Sequence, residues 1–407
     1  MTRTTFLWCA LAALIVVSGG APASARAGVS AEAPRYQALA EGLVGTGQGV
    51  FAVAEDGTVL ASVAADRAVH PASVSKVPST LALLRTLGPD YRFVTKLRGA
   101  APEAGVIPGD LVVESAGDPF LLPQGAAYIL GELGDIGVRR VAGRLRVEGP
   151  LYYDWKPDPA GKRFGAVLRG KISSAARREA NERRGSDGKP SVVFEHNKAA
   201  SAPATETILV HLSPPLPRIL KELNGYSNNI FHPLSDRVGG PAAVQRVARA
   251  SVPKAMADEI VITNAAGAGK TNRLSPRAAV ALYQALEREL REHGLVLTDV
   301  LPVAGRDRGT LQRRFSSPEL RGSVVGKTGT YGSLGASSLA GVARTRRFGK
   351  VTFAILNRDV PVAEARRRQN AFVTALLADA GAVPWPYEPL PSPILLEETV
   401  VVNVGGD

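Results

Sequence analysis

The stretch Pro71-Ala72-Ser73-Val74-Ser75-Lys76 decides how the rest of this chain is read. It sets a serine and a lysine three residues apart where a helix is expected to begin. Positions three apart share a helix face, so Lys76 can meet the Ser73 hydroxyl. A serine hydroxyl is a weak nucleophile at neutral pH and needs a base to take its proton. A lysine held near other cations and away from water can be partly neutral and act as that base. Ser75 has no lysine at this spacing and reads as a bystander. S-x-x-K alone means little, because both residue types are common. Here two more motifs follow in order, Ser227-Asn228-Asn229 (S-x-N) and Lys327-Thr328-Gly329 (K-T-G).

Each later motif has a chemical reading. Ser227 can carry a proton between Lys76 and a leaving amine, and Asn229 can donate its amide to an acyl carbonyl. Taken alone, Asn-Asn would be a polar turn. Lys327-Thr328-Gly329 follows the apolar Val324-Val325, so a strand is expected, with Lys327 and Gly329 on one face. Lys327 supplies a positive field for Lys76. With the Thr328 hydroxyl it can also engage a substrate carboxylate. Gly329 lets a substrate backbone come close where a side chain would block it. The backbone N–H groups of Ser73 and Thr330 are the expected oxyanion donors. Pro78 lacks the N–H that would bond back to Val74, which predicts a distorted first turn.

The bulk properties set the surroundings. At 407 residues the chain can hold two domains and a sizeable core. Residues 1–27 read as a secretion signal. Arg3 is the positive end, Phe6 to Val17 the apolar core, and the cleavage site falls near Ala23-Ser24-Ala25 or Ala25-Arg26-Ala27. The apolar run is short for a bilayer span, so no stable membrane span is expected after cleavage. Cys9, the only cysteine, lies in that segment, so a mature chain would carry no disulfide and no thiolate site. The net charge of +12 fits an exported protein that meets an anionic wall polymer. No nucleic-acid module is present. His70, His196, His211, His232 and His293 show no ligand spacing, so no metal and no zinc peptidase is expected. Gly269-Lys270-Thr271 ends like a phosphate-binding loop, but Asn264 stands where the first glycine should be.

Periodicity gives the organisation. Gly47 to Val63 reads as a hairpin turning at Glu55-Asp56-Gly57-Thr58. A helix with a stripe of Val77, Leu81, Leu84 and Leu87 follows and stops at Gly88-Pro89. Short strands and turns run from Tyr91 to Leu209, with a basic stretch from Lys156 to Lys189 read as a solvated loop or weak helix. Ser213-Pro214-Pro215 opens another helical region. Ser275 caps a clear helix with Pro276 at its first position. Two strands over Ser338–Val342 and Val351–Leu356 and a helix over Ala363–Ala380 close the pattern. The expectation is an α/β (α+β) catalytic domain, 28–90 with 210–386, interrupted by a β-rich inserted domain over 91–209. Residues 387–407 form a tail.

These motifs, with several flanking stretches, resemble penicillin-binding proteins. The closer likeness is to the low-molecular-mass D-alanyl-D-alanine carboxypeptidase/endopeptidase branch, which carries a domain inserted between S-x-x-K and S-x-N. The stretches are Gly109-Asp110-Leu111-Val112, Gly117-Asp118-Pro119, Tyr226-Ser227-Asn228-Asn229, Asn272-Arg273-Leu274-Ser275-Pro276-Arg277, Leu301-Pro302-Val303-Ala304-Gly305 and Gly309-Thr310-Leu311. The resemblance implies a β-lactamase/transpeptidase-like fold, with an antiparallel sheet flanked by helices. It implies an acyl-enzyme on Ser73, action on peptidoglycan peptides on the outer side of the bacterial membrane, acylation by β-lactams and no cofactor. Three departures stand out. The insertion is short, Pro78 and Pro233 sit in helices beside the motifs, and Asn264 to Lys270 replaces the D-G-S-G-L-S of the family. The other readings are a β-lactamase or esterase-like hydrolase, and a peptidoglycan-binding protein that has lost activity.

Overall fold

The computed structural model describes residues 33–197, 202–226, 228–389 and 400–403. The proposed signal segment and Cys9 lie outside the described residues, and so does Ser227. A central antiparallel sheet of five strands runs Val324–Tyr331, Ala336–Thr345, Gly349–Asn357, Gly49–Val53 and Val59–Val63, in that spatial order. The expected hairpin and the two late strands are therefore neighbours in one sheet. The motif strand Val324–Tyr331 lies at its edge, where Pro302–Ala304 bonds to its start at Val324–Gly326 and, among the described residues, no strand pairs with the outer side of Lys327–Tyr331.

Helices cover both faces of this sheet. Val362–Ala380 packs with Ala33–Leu43 over a core of Phe353, Ile355, Phe372, Leu376 and Leu377. On the other side lie Lys76–Leu87 and Pro276–Glu292, with Val77, Leu81, Leu84, Leu282 and Leu286 buried. The Ser275 hydroxyl accepts from the Ala278 N–H at 3.1 Å, the cap that the Ser-Pro pair predicts. Tyr283 crosses the core to donate to the Ala340 carbonyl at 2.8 Å, tying helix to sheet.

A second five-stranded sheet takes four strands from residues 94–212 and its fifth from the stretch expected to be a tail. Leu111–Ser115 lies between Val94–Gly99 and Leu145–Glu148, and Glu206–Leu212 follows on the far side of Val94–Gly99. Val400–Asn403 adds to Glu206–Leu212 as the outermost strand. Three helices, Pro123–Asp135, Lys162–Leu168 and Ser174–Arg184, pack on this part. Two of them lie in the basic stretch, where most of the lysines and arginines are exposed as expected and the solvated reading fails only locally. Phe164, Val167 and Leu168 are buried, and Arg184 is only 3% exposed, paired with Glu132 and Asp135. A buried arginine with two carboxylates is a docking contact, which charge counting along the sequence misses. Among the described residues no helix is long and apolar enough to cross a membrane.

Candidate active site

The nucleophile turn forms first as a short 3-10 helix, Ala72–Ser75, and becomes α-helical at Lys76. That is the distorted first turn predicted from Pro78, and the α-helix continues unbroken over Lys76–Leu87. Pro78 is the third residue of that helix, where an N–H has no partner inside the helix anyway. The strain sits earlier, at Ala72, whose φ of 47° is left-handed for a residue with a side chain. Such a turn persists only where its surroundings hold it, and three elements do so here. The Ala72 N–H donates to His70 Nδ1 at 3.2 Å. A Cβ at Gly329 would lie 2.6 Å from the Pro71 carbonyl oxygen and 3.0 Å from the Ser73 nitrogen. A Cβ at Gly267 would collide with the Ala72 carbonyl. Two glycines thus let the motif strand and the 264–270 loop press directly on the backbone of the turn.

Lys76 lies at the floor of this arrangement. It is fully buried. Its Nζ is 3.0 Å from Ser73 Oγ and 3.2 Å from the Ala266 carbonyl oxygen. Burial pushes its pKa well below the usual lysine value, and the nearby Lys327 lowers it further. Lys327 is itself only 1% exposed, and burial brings it down to about 8. Its Nζ donates to the Thr328 carbonyl at 2.9 Å. The Thr328 hydroxyl donates to Thr310 Oγ1 at 2.7 Å. Thr310 in turn donates its N–H to the Gly225 carbonyl at 3.0 Å, linking the K-T-G strand to the S-x-N turn.

Within that turn the two asparagines differ. Asn228 turns inward and donates to the Leu223 carbonyl at 2.8 Å, while Asn229 is exposed. Phe231, just beyond, lies with its ring centroid 5.8 Å from Lys76 Nζ. The structure thus brings Ser73, Lys76, Lys327, Thr328, Gly329 and Thr330 onto one connected framework, with Asn229 on the segment beside it.

The 264–270 loop lies against the nucleophile. Ser73 Oγ is 3.4 Å from the Ala266 carbonyl oxygen. Ala265 and Ala266 are buried in the apolar core, so the loop offers its backbone and not these side chains. Asn272 fixes its shape. Its side-chain oxygen accepts from the backbone N–H groups of Thr263 and Asn264, each at 3.0 Å. Its amide nitrogen donates to Ser75 Oγ and to the Asn264 carbonyl, each at 2.8 Å. Ser75, the bystander in chemistry, is thus an anchor in structure. His70 adds a second clamp, with Nε2 2.6 Å from the Gly269 carbonyl oxygen. Asn272 was legible only as part of a matching stretch. Nothing in the sequence pointed to His70.

Residues 37–160 and 178–378 match the family described as D-Ala-D-Ala carboxypeptidase 3 (S13). A predatory endopeptidase, Bd3459 from Bdellovibrio bacteriovorus, solved acylated by penicillin G with an immunity protein, superposes with a TM-score of 0.74. It shares 23% identity, over 88% of this chain and 99% of that one. A second endopeptidase of that organism, Bd0816, gives 0.70 at 24% identity, over 86% and 99%. Penicillin binding protein 4 from Haemophilus influenzae gives 0.59 at 18%, over 84% and 99%. At these identities the likeness establishes a shared fold.

Proposed function

This chain belongs to the D-Ala-D-Ala carboxypeptidase 3 (S13) family, and from that membership we propose that it is a serine D-alanyl-D-alanine carboxypeptidase/endopeptidase. Its substrates are peptidoglycan peptides, and β-lactams acylate it. The observation that carries this reading is the contact of 3.0 Å between a buried lysine, Lys76, and the Ser73 hydroxyl. A charged, fully hydrated lysine could not take a proton at neutral pH. A buried lysine with a second cation nearby can.

The proposed steps give Ser227 and Asn229 the roles that their motif implies. Ser73 Oγ attacks the carbonyl carbon of the scissile bond while its proton passes to Lys76. The Ser73 and Thr330 N–H groups hold the developing oxyanion. Lys76 returns the proton, by way of Ser227, to the nitrogen of the leaving D-alanine as the C–N bond breaks. Asn229 holds the acyl side of the substrate, and Lys327 with Thr328 and Gly329 lines the leaving-group side. Water then hydrolyses the ester. The same nucleophile opens a β-lactam ring, whose amine stays attached and hinders the water.

Incubation of the purified protein with benzylpenicillin, followed by mass spectrometry of a digest, tests the reading. The adduct is expected on Ser73, absent in Ser73→Ala, with D-alanine released from an acyl-D-Ala-D-Ala peptide. An adduct on Ser75 overturns the assignment of the nucleophile. Fast penicillin turnover without D-alanine release indicates a β-lactamase, and neither reaction indicates a binding protein.

A further inference from the structure

The edge strand ends beside a cation that belongs to none of the three motifs. We propose that Arg366 binds the C-terminal carboxylate of the substrate, together with the hydroxyls of Thr328 and Thr330, an inference that rests on the peptidase reading above. Side chains alternate along a strand, so Thr328 and Thr330 share the face opposite Lys327 and Gly329. Thr330 Oγ1 accepts from Arg366 Nη2 at 3.0 Å. That bond ties helix Val362–Ala380 to the end of the motif strand and sets the guanidinium beside the hydroxyl.

The charges around it favour an anion. Arg366 is exposed and has no carboxylate within ion-pair distance among the described residues. Its neighbours Arg367 and Arg368 are taken by Glu364. Arg314 lies close behind, buried, and its bonds go to neutral amides, Asn370 Oδ1 at 2.7 Å and Gln369 Oε1 at 3.1 Å. Burial, and after it the nearby charge of Arg366, bring Arg314 down to about 10.

Lys327 is poorly suited to hold the carboxylate by itself. It is buried, its ammonium already donates to the Thr328 carbonyl, and its pKa of about 8 leaves it partly neutral just above neutral pH. A guanidinium is charged throughout that range and grips a carboxylate with two parallel N–H bonds. Arg366 thereby selects substrates that end in a free acid, and Lys327 is left to tune Lys76.

The test compares Ser73 acylation by benzylpenicillin and by its methyl ester in the wild type, Arg366→Gln and Arg366→Lys. Melting temperatures of the three proteins are measured alongside. Arg366→Gln is expected to slow the acid by roughly tenfold to a hundredfold, the usual cost of losing a charge-assisted pair, and to leave the ester rate unchanged. Arg366→Lys falls between, since it keeps the charge and loses the fork. The loss belongs in the binding step and not in the limiting acylation rate at saturation. Equal losses on acid and ester, or no loss on either, overturn this inference alone. No acylation of the wild type by either compound removes the peptidase reading first and this inference with it.

Discussion

At the residue scale, the site works by keeping two lysines dry. Lys76 must lose its proton before it can accept one from Ser73, so acylation is expected to rise with pH as Lys76 is deprotonated. Lys327 helps, because one positive charge makes a second harder to hold. Replacing Lys327 by Met removes that repulsion and favours protonated Lys76. The sign is therefore fixed: the pKa of Lys76 goes up and the acid limb of the pH–rate profile moves to higher pH. At neutral pH the rate should fall by roughly tenfold to a hundredfold, a share of what a positioned base contributes. Penicillin acylation rates measured across pH for both proteins check this, and a limb that stays in place refutes it. His70 complicates the profile only below neutrality. Burial and Arg273 lower its pKa against the opposing effect of the bond its Nε2 donates to the Gly269 carbonyl, which favours the neutral ring that Ala72 needs as an acceptor.

At the scale of elements, the site is a turn, a strand and a loop pressed together, and Asn272 is the pin. It joins the loop to the nucleophile turn through buried hydrogen bonds, and removing their partner leaves several backbone groups unpaired away from water. Asn272→Ala should cost about 2–4 kcal/mol of stability, at the rate of 1–3 kcal/mol for each buried group left unsatisfied after some relaxation. It should also slow acylation, because Ala266 and Gly267 lose their hold on Ser73 and Ala72. Thermal or urea unfolding together with the acylation rate decides the matter. A variant of wild-type stability would show that the loop holds itself. Ala265 and Ala266 cannot hydrogen-bond through their side chains, and they do not need to, because they fill the core behind the nucleophile.

At the scale of the molecule, what could be read from the sequence followed physical locality. The hairpin, the capped helix at Ser275 and the two late strands carry their own periodicity and punctuation, so they were visible. The Ser73–Lys76 contact was visible because three residues of helix enforce it. Sheet order was not, since nothing in Gly49–Val53 states that its neighbour is Gly349–Asn357. In the basic stretch a weak helix was legible but its buried side was not, because the polar residues outnumber the few that are buried. Arg366 was hidden in a run of three arginines, which reads as a solvated surface until tertiary packing brings one of them to Thr330.

The central sheet also sets the order in which the chain can assemble. Val50 is paired with Ile355, 305 residues further on, whereas Leu111 and Leu145 in the second sheet are 34 apart. Contacts between distant residues form slowly, because the intervening chain must be confined before any bond compensates for it. The sheet around Leu111–Glu114 should therefore become protected against hydrogen exchange in refolding before Gly49–Val53 does, as domains of larger proteins commonly fold as units. Pulse labelling during refolding would reveal the sequence of events, and simultaneous protection would contradict it. The edge strand that carries Lys327 joins the nucleophile turn only when the distant pairing closes. Reactivity toward penicillin should then arrive last, so a labelled β-lactam added at successive times counts the molecules that have finished folding.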